Sequence, residues 1–315
     1  MFCDVDDFCL AFEPEWQKRL LNHGGIKRRR VKNLCLSEIM TILIAFHQNH
    51  YRNFKHFYLD YVKQYWHSAF PGLPSYQRFI EWMPSTLIPL CVYLKRCFGS
   101  CTGIGFVDAT SLKVCQHGGC ISWGNPSIPH RHNRRIKPHK VFDGLAQRGK
   151  TSVDWFFGFK LHLVVNELGQ LLNAHLTPGN VDDRRPISEL LQGLFGKFFA
   201  DRGYVSQKLA HQLLEDFGIQ FFAKPRRNMR SRHAGVSPAC AIDLLKNKLM
   251  TLHDKLLSRS SSIIETINDQ LKNISQIEHS RHRSLVNFCV NVLCGLIAYC
   301  HQPKKPSLHL DWLLP

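Results

Sequence analysis

The chain of 315 residues carries 41 Lys and Arg against 24 Asp and Glu, which gives a formal net charge of +17. This excess is large for an enzyme of small molecules and favours a polyanionic partner, most simply a nucleic acid. No apolar run reaches the roughly 18 residues of a membrane span, and the acidic segment 1–7 lacks the basic start of a secretory signal. We therefore expect a cytoplasmic protein without a membrane partner.

The positive charge is concentrated in three blocks: residues 27–32, the stretch 109–142, which contains no Asp or Glu, and residues 224–232. A single basic run is usually a solvated surface, but three separate blocks favour a phosphate-binding surface. From the first and third blocks we expect DNA contacts by Arg28, Arg29, Arg30, Lys224, Arg226, Arg227 and Arg230.

Residues 1–98 are predicted to be helical. Apolar positions at helical spacing indicate helices over 36–46, 53–62 and 74–83, and Ser37 and Ser75 could serve as N-caps of the first and third. Short helices beside a basic block are typical of a DNA-binding region of helix-turn-helix type. The alternative is an ordinary helical domain that packs on the rest of the protein.

The stretch 103–114 is predicted to be a buried strand with one carboxylate, Asp108, at its centre. Because an ionised Asp in such a strand is costly without partners, we expect a cation or a hydrogen-bond network around it, or a simple capping role at a strand end. The loop 116–139 follows. It begins beside Cys115, His117 and Cys120, whose spacing matches no standard zinc pattern.

Four further segments complete a predicted mixed sheet. They are strands over 155–166, 171–177, 197–200 and 219–223, with helices over 187–194 and from Ser206 to 217. The fourth strand ends at Asp201. If the first and fourth strands are neighbours, Asp108 and Asp201 meet at their ends.

The last third of the chain is predicted to be helical. Residues 262–274 form an amphipathic pattern that places Glu265, Asn268 and Lys272 on one polar face, and residues 285–299 form an apolar helix. Glu265 could supply a third acid, and Lys272 could contact a phosphate. A solvated helix face, and a turn-capping Asp201 before Gly203, are the alternatives. Residues 302–315 are rich in proline and are expected to be peripheral.

Three acids in this order fit phosphodiester chemistry. Two Mg²⁺ ions roughly 4 Å apart activate the nucleophile and neutralise the leaving oxygen. Because Mg²⁺ takes oxygen ligands, Asp108, Asp201 and Glu265 together with substrate phosphate would be sufficient, and Mn²⁺ could replace Mg²⁺.

Five segments carry a resemblance to a known family: 106–110, 155–163, 177–185, 200–204 and 263–273. On these segments the chain resembles the bacterial DDE insertion-sequence transposases over nearly its whole length. The third acid motif, a Glu followed by a Lys seven positions later, is the most specific.

The resemblance implies an α/β, RNase H-like mixed five-stranded sheet flanked by helices in residues 99–301, behind an all-helical N-terminal region. It makes Asp108, Asp201 and Glu265 the catalytic metal ligands. It implies an enzyme that cleaves element ends and joins the freed 3′-hydroxyl to target DNA, acts on double-stranded terminal repeats, forms a homo-oligomer when two ends are paired, and stays with the nucleoid. An RNase H-like nuclease without strand transfer and a decayed DNA-binding copy are the alternatives.

The sequence departs from the family pattern in two ways, by substituted residues and by extra stretches. Related transposases commonly carry an Arg four residues before the catalytic Glu and a Tyr three before that Arg, whereas this chain has Ser261 and Ser258. Arg259 lies nearby on a different predicted helical face. Stretches near 116–131 and 234–246 look like additions between core elements, where insertions are tolerated.

Overall fold

The computed structural model describes residues 1–22, 32–114, 140–151, 155–223, 252–278 and 282–308. Outside these ranges lie both extra stretches, most of the basic blocks, and Cys115, His117 and Cys120.

The α-helices are α1 Phe2–Asn22, α2 Leu36–Phe46, α3 Phe54–His56, α4 Lys63–Tyr65, α5 Tyr76–Trp82, α6 Leu87–Cys97, α7 Ile187–Leu190, α8 Gln207–Phe217, α9 Leu252–Arg259, α10 Ser262–Asn273 and α11 Leu285–Cys300. The strands are β1 Ile104–Lys113, β2 Gln147–Lys150, β3 Trp155–Asn166, β4 Leu171–Pro178, β5 Lys197–Ala200 and β6 Gln220–Ala223.

The chain divides into two compact units. One joins residues 1–97 to 270–303 and is helical, and the other joins 98–269 to the segment from 304 onward and contains the sheet. The sequence placed 99–301 in one domain, whereas compactness groups α11 with the N-terminal helices. The division into a DNA-binding region and a catalytic domain stays a prediction.

The helical unit follows the sequence pattern with two differences. Ser75 caps α5 as predicted, since its hydroxyl accepts from the backbone N–H of Arg78. The prediction of Ser37 as a cap was wrong: Cys35 is the N-cap of α2, and its backbone N–H donates to Glu38, 2.7 Å away, while the Ser37 hydroxyl donates to Asp6. The predicted helix over 53–62 contains a π-helical turn, Phe57–Val62.

The second unit is a mixed sheet with the order β4–β3–β1–β5–β6. β3 pairs antiparallel with both β1 and β4, whereas β1 pairs parallel with β5, and β5 with β6. The predicted α/β class is confirmed. The short strand β2, which pairs with β3, was not predicted and makes the sheet six-stranded.

One face of the sheet carries a row of aromatic rings. Phe106, Phe199 and Phe222 lie at matching positions of β1, β5 and β6, with ring centroids 5.8 Å and 5.2 Å apart. On the opposite face Val107, Phe198 and other apolar residues form a core cluster with α7 and α8. Because side chains alternate between faces, the next residues on the aromatic face are those two positions further along each strand.

Close approach of β1 and β5 depends on Gly105. It lies opposite Phe198, and a Cβ at this position would collide with the Phe198 ring. The glycine therefore lets the parallel strands keep the register that positions the residues at their ends.

Candidate active site

Asp108, in the middle of β1, and Asp201, directly after β5, lie side by side. Val107 is paired with Ala200 in the parallel β1–β5 ladder, so the following residue of each chain segment is an aspartate. Adjacent strands lie about 4.8 Å apart. Asp108 and Asp201 come two residues after Phe106 and Phe199, so their side chains are on the same face of the sheet as these two rings. The condition on which the sequence prediction depended, that the first and fourth strands are neighbours, is met.

The environment of Asp108 disfavours its charge. Burial raises its pKa to about 7, and the negative charges of Asp201, Glu265 and Asp183 add to this rise, while the backbone N–H of Ala109 opposes it. Carboxylates from four separate segments of the chain therefore act on one another at this point. Asp201 and Glu265 are exposed to solvent, whereas Asp108 is partly buried.

Helix α10 is bonded to β1 by an amide. The Asn268 side-chain Nδ2 donates to Asp108 Oδ2 at 2.8 Å, and Asn268 is only 7% exposed. Glu265 lies three residues earlier, one turn away on the same side of the helix. Of the predicted apolar face, Ile263, Ile264, Ile267 and Leu271 are buried, whereas Ile274, which follows the end of the helix, is exposed. Asn268 lies on the predicted polar face and is nevertheless buried, because it bonds to the strand.

A fourth carboxylate, Asp183, reaches the site from the loop after β4. Lys160 on β3 holds it with Nζ 2.8 Å from Asp183 Oδ1, and the same ammonium donates to the Val181 carbonyl at 2.9 Å. The sequence reasoning missed both residues, since neither a Lys in a strand nor an Asp in a loop stands out by pattern. Asn268 could have been found, because its spacing from Glu265 places it on the same helix face.

Tyr204 lies three residues after Asp201, at the end of a 3₁₀ turn over Arg202–Tyr204. Its side chain is 2% exposed, and its hydroxyl has no hydrogen-bond partner among the described residues. Burial raises the pKa of the phenol, and Asp108, Asp183 and Asp201 raise it further. The Asn268 Oδ1 atom is also buried without a partner in the described chain.

A protein-family model described as "Transposase DDE domain" matches residues 98–239 and 240–285, more than half of the chain. The chain belongs to the DDE transposase family. The DDE transposase family expected from the sequence motifs is thus confirmed, whereas its bacterial insertion-sequence branch stays a prediction. The matched region begins where the sheet unit begins and contains Asp108, Asp201 and Glu265.

The transposase also has a distant likeness to a solved structure. That structure is described as a piggyBac transposase synaptic complex with hairpin DNA and was determined by cryo-electron microscopy. The sequences of the two chains are 11% identical. The similarity covers 91% of this chain and 72% of that chain, with a TM-score of 0.38. A comparison with curated proteins finds no match. In the described part of the transposase, no helix is long and apolar enough to cross a membrane.

The donor atoms of the site suit a hard divalent cation. DDE transposase domains generally use divalent metals, and the aspartates and glutamate around Asp108 offer only oxygen, as Mg²⁺ prefers. The repulsion of Asp108 by its neighbours, and the unpartnered Oδ1 atom of Asn268, whose Nδ2 atom bonds to Asp108, also fit a cation with its water. Within the described ranges, no three His, Cys, Asp or Glu side chains form a group that could hold an ion by themselves. Mg²⁺ is commonly held by one or two carboxylates together with substrate phosphates.

The predicted DNA-contacting residues are only partly placed. Lys272 lies in the last turn of α10, where its Nζ is 3.5 Å from Glu278 Oε2. Arg28, Arg29, Arg30, Lys224, Arg226, Arg227 and Arg230 lie outside the described residues.

Ser261 does not lie on the α10 face. It sits in the turn between α9 and α10, and its hydroxyl donates to the Ser258 carbonyl at 3.1 Å. Position 261 is four residues before Glu265, but α10 begins only at Ser262. Arg259 is the last residue of α9.

Proposed function

We propose that this transposase cleaves DNA at the ends of an insertion sequence and joins the freed 3′-hydroxyl to target DNA. The observation that carries the proposal is the register of β1 and β5, which sets Asp108 beside Asp201, together with the Asn268–Asp108 hydrogen bond that brings the Glu265 turn of α10 to the same strand end. The three acids come from a strand, from the end of a strand and from a helix, in the order expected from the sequence.

Asp108, Asp201 and Glu265 would hold two Mg²⁺ or Mn²⁺ ions. When bound, such ions activate water as a nucleophile and stabilise the leaving 3′-oxygen. The raised pKa of Asp108 supports this assignment, since a carboxylate made unfavourable by burial and by like charge gains most from a cation.

The chain's own residues hold the acids in place. The Asn268 amide donates to Asp108 Oδ2, while Lys160 compensates the charge of Asp183. The basic residues named above, and Lys272 seven positions after Glu265, are proposed to contact phosphates of the terminal repeats and of the target. Pairing of two ends would require a homo-oligomer, and association with DNA in the nucleoid follows from these contacts.

A supercoiled plasmid that carries both ends of the element tests the proposal. Incubation with Mg²⁺ should nick the DNA at the ends and yield products in which a 3′-hydroxyl is joined to new DNA, and EDTA should prevent both. Cleavage without joined products would favour the nuclease alternative. Binding to the ends without cleavage in either Mg²⁺ or Mn²⁺ would favour a decayed copy, for which Ser258 and Ser261 provide a reason.

A further inference from the structure

Asn268 is a buried amide of which only one polar end has a partner. Its side chain is 7% exposed, and the nearby Ile264 and Ile267 of α10 are buried apolar side chains. The Nδ2 atom donates to Asp108 Oδ2, whereas the Oδ1 atom is buried without a hydrogen-bond partner among the described residues. A carbonyl oxygen taken out of water without a partner lowers stability. Fastening α10 to β1 accounts for Nδ2 but not for Oδ1, which points to a ligand outside the described chain.

A direct contact places this oxygen at the acids. Oδ1 and Nδ2 are bonded to the same carbon atom, and Nδ2 is 2.8 Å from Asp108 Oδ2, so Oδ1 lies beside that carboxylate. Asp201 follows the strand that pairs with β1, and Glu265 lies one turn before Asn268 on the same side of the helix. A molecule that binds Oδ1 therefore lies next to Asp108, at the acid site.

We propose that Asn268 is a positioning residue of the acid site, with a separate task for each end of its amide. Nδ2 holds Asp108 in place, and Oδ1 accepts a hydrogen bond from the hydration shell of the cation that the acids bind. An amide oxygen is an acceptor, and water can donate to it. Mg²⁺ in proteins usually keeps several of its waters, and the groups that hold its ligands from outside strongly affect affinity. This role depends on the metal-dependent function proposed above and adds a residue to it.

Asn268→Leu tests the role by removing both polar ends while keeping a side chain that branches at Cγ. The melting temperature without metal shows whether the variant is folded, and Asn268→Ala replaces it if it is not. The rise in melting temperature on titration with Mn²⁺ should then need a metal concentration about 10- to 100-fold higher than in the wild type. Single-turnover cleavage of a labelled end should slow by a similar factor.

Asn268→Asp should behave differently, because it keeps an oxygen at the Oδ1 position and loses only the donor. At pH 8 the second carboxylate beside Asp108 should lower the melting temperature of the metal-free protein, since like charges repel. Mn²⁺ relieves this repulsion, so the metal concentration at half of the response should equal that of the wild type or be lower. A residue that only fastens the helix would give the same response to Mn²⁺ in the Leu and the Asp variants.

Asn173→Leu is the matched control. The Asn173 Nδ2 atom donates to the Leu190 carbonyl at 2.9 Å, and its Oδ1 atom accepts from the backbone N–H of Ala174 at 2.9 Å. Both polar ends of this amide thus have partners in the chain. The variant should melt at a lower temperature without metal and keep the wild-type response to Mn²⁺.

The possible failures are distinguishable. If wild type responds to Mn²⁺, Asp108→Asn removes the response and Asn268→Leu keeps it unchanged, the role of Asn268 is wrong and the proposed function stands. Equal rises of the required metal concentration in the Leu and Asp variants would also overturn the role, since loss of the Nδ2 donor would explain both. If wild type shows neither a response to Mn²⁺ nor cleavage, the proposed function fails and the role of Asn268 fails with it.

Discussion

Asp108 carries its charge where both burial and neighbouring charges oppose it. Its pKa is raised to about 7 from an ordinary value of 3.8, with burial as the main cause and Asp201, Glu265 and Asp183 as the next. A residue kept under such conditions lowers the stability of the protein without metal. This is the expected pattern when a side chain serves a site rather than the fold.

Replacing Asp108 by Asn should therefore stabilise the metal-free protein. At pH 8 the free energy of unfolding should rise by about 1–3 kcal/mol, because an unfavourable charge is removed and an amide of the same shape remains. Urea unfolding in the presence of EDTA measures this. A variant less stable than wild type would mean that Asp108 has a cationic partner in the metal-free protein.

The identity of the acids could be predicted from the sequence, but their surroundings could not. Asp108 stands out because a charge interrupts an apolar strand pattern, and Asp201 because it ends one. Asp183 and Lys160 carry no such local signal, since their contact depends on a loop that brings distant residues together.

At the scale of elements, the parallel pairing of β1 with β5 creates the site. The sequence predicted both strands and the α10 helix almost to the residue. The register was beyond sequence reasoning, because a parallel pair is joined through long intervening segments and its alignment is set by packing. The short β2 was missed because four residues, Gln147–Lys150, with two of them charged, show no apolar alternation.

Gly105→Ala tests this pairing. The added methyl would meet the Phe198 ring, so β5 must shift or the ring must rotate, at a cost of about 1–3 kcal/mol in the free energy of unfolding. Gly203→Ala is the control, since a Cβ there meets nothing within 4 Å. The free energy of unfolding of this control should be unchanged or should rise by up to about 1 kcal/mol. Equal effects of the two variants in urea unfolding would contradict the role given to Gly105.

At the scale of the whole molecule, buried histidines should make the protein sensitive to acid. Burial lowers the pKa of His47, His162 and His282 to about 4 from 6.5. Below pH 6.5 the unfolded chain therefore binds more protons at these positions than the folded chain does. Their contribution to stability is present above pH 6.5 and is lost as the pH falls toward 4.

Thermal unfolding at pH 7.5, 6.5 and 5.5 measures this dependence. Each histidine contributes up to about 1.4 kcal/mol per pH unit in this window. Asp108 acts in the opposite direction, since its raised pKa means that the folded chain gains a proton as the pH falls through 7. Because the three histidines lower the stability on acidification and only Asp108 raises it, we expect a net loss of stability. A protein that is more stable at pH 5.5 than at pH 7.5 would exclude this account of the histidines.

The net charge of +17 predicts salt-dependent binding to DNA. Replacing Arg28, Arg29 and Arg30 by Gln should weaken binding to element ends and reduce the slope of log affinity against log salt by about 0.9 for each phosphate that the variant no longer neutralises. Asp108→Asn should leave the slope unchanged, which makes it the control. An unchanged slope in the triple variant would move the DNA surface to the basic block 224–232.

The most direct test of the central claim is single-turnover cleavage of a labelled element end with Mg²⁺ by wild type, Asp108→Asn, Asp201→Asn and Glu265→Gln, each first shown to be folded and to bind the end. The account predicts that each substitution alone slows cleavage more than about 100-fold, since each removes a metal ligand worth several kcal/mol in the transition state. Any one variant that cleaves at the wild-type rate would contradict the assignment of that acid and the site built around Asp108.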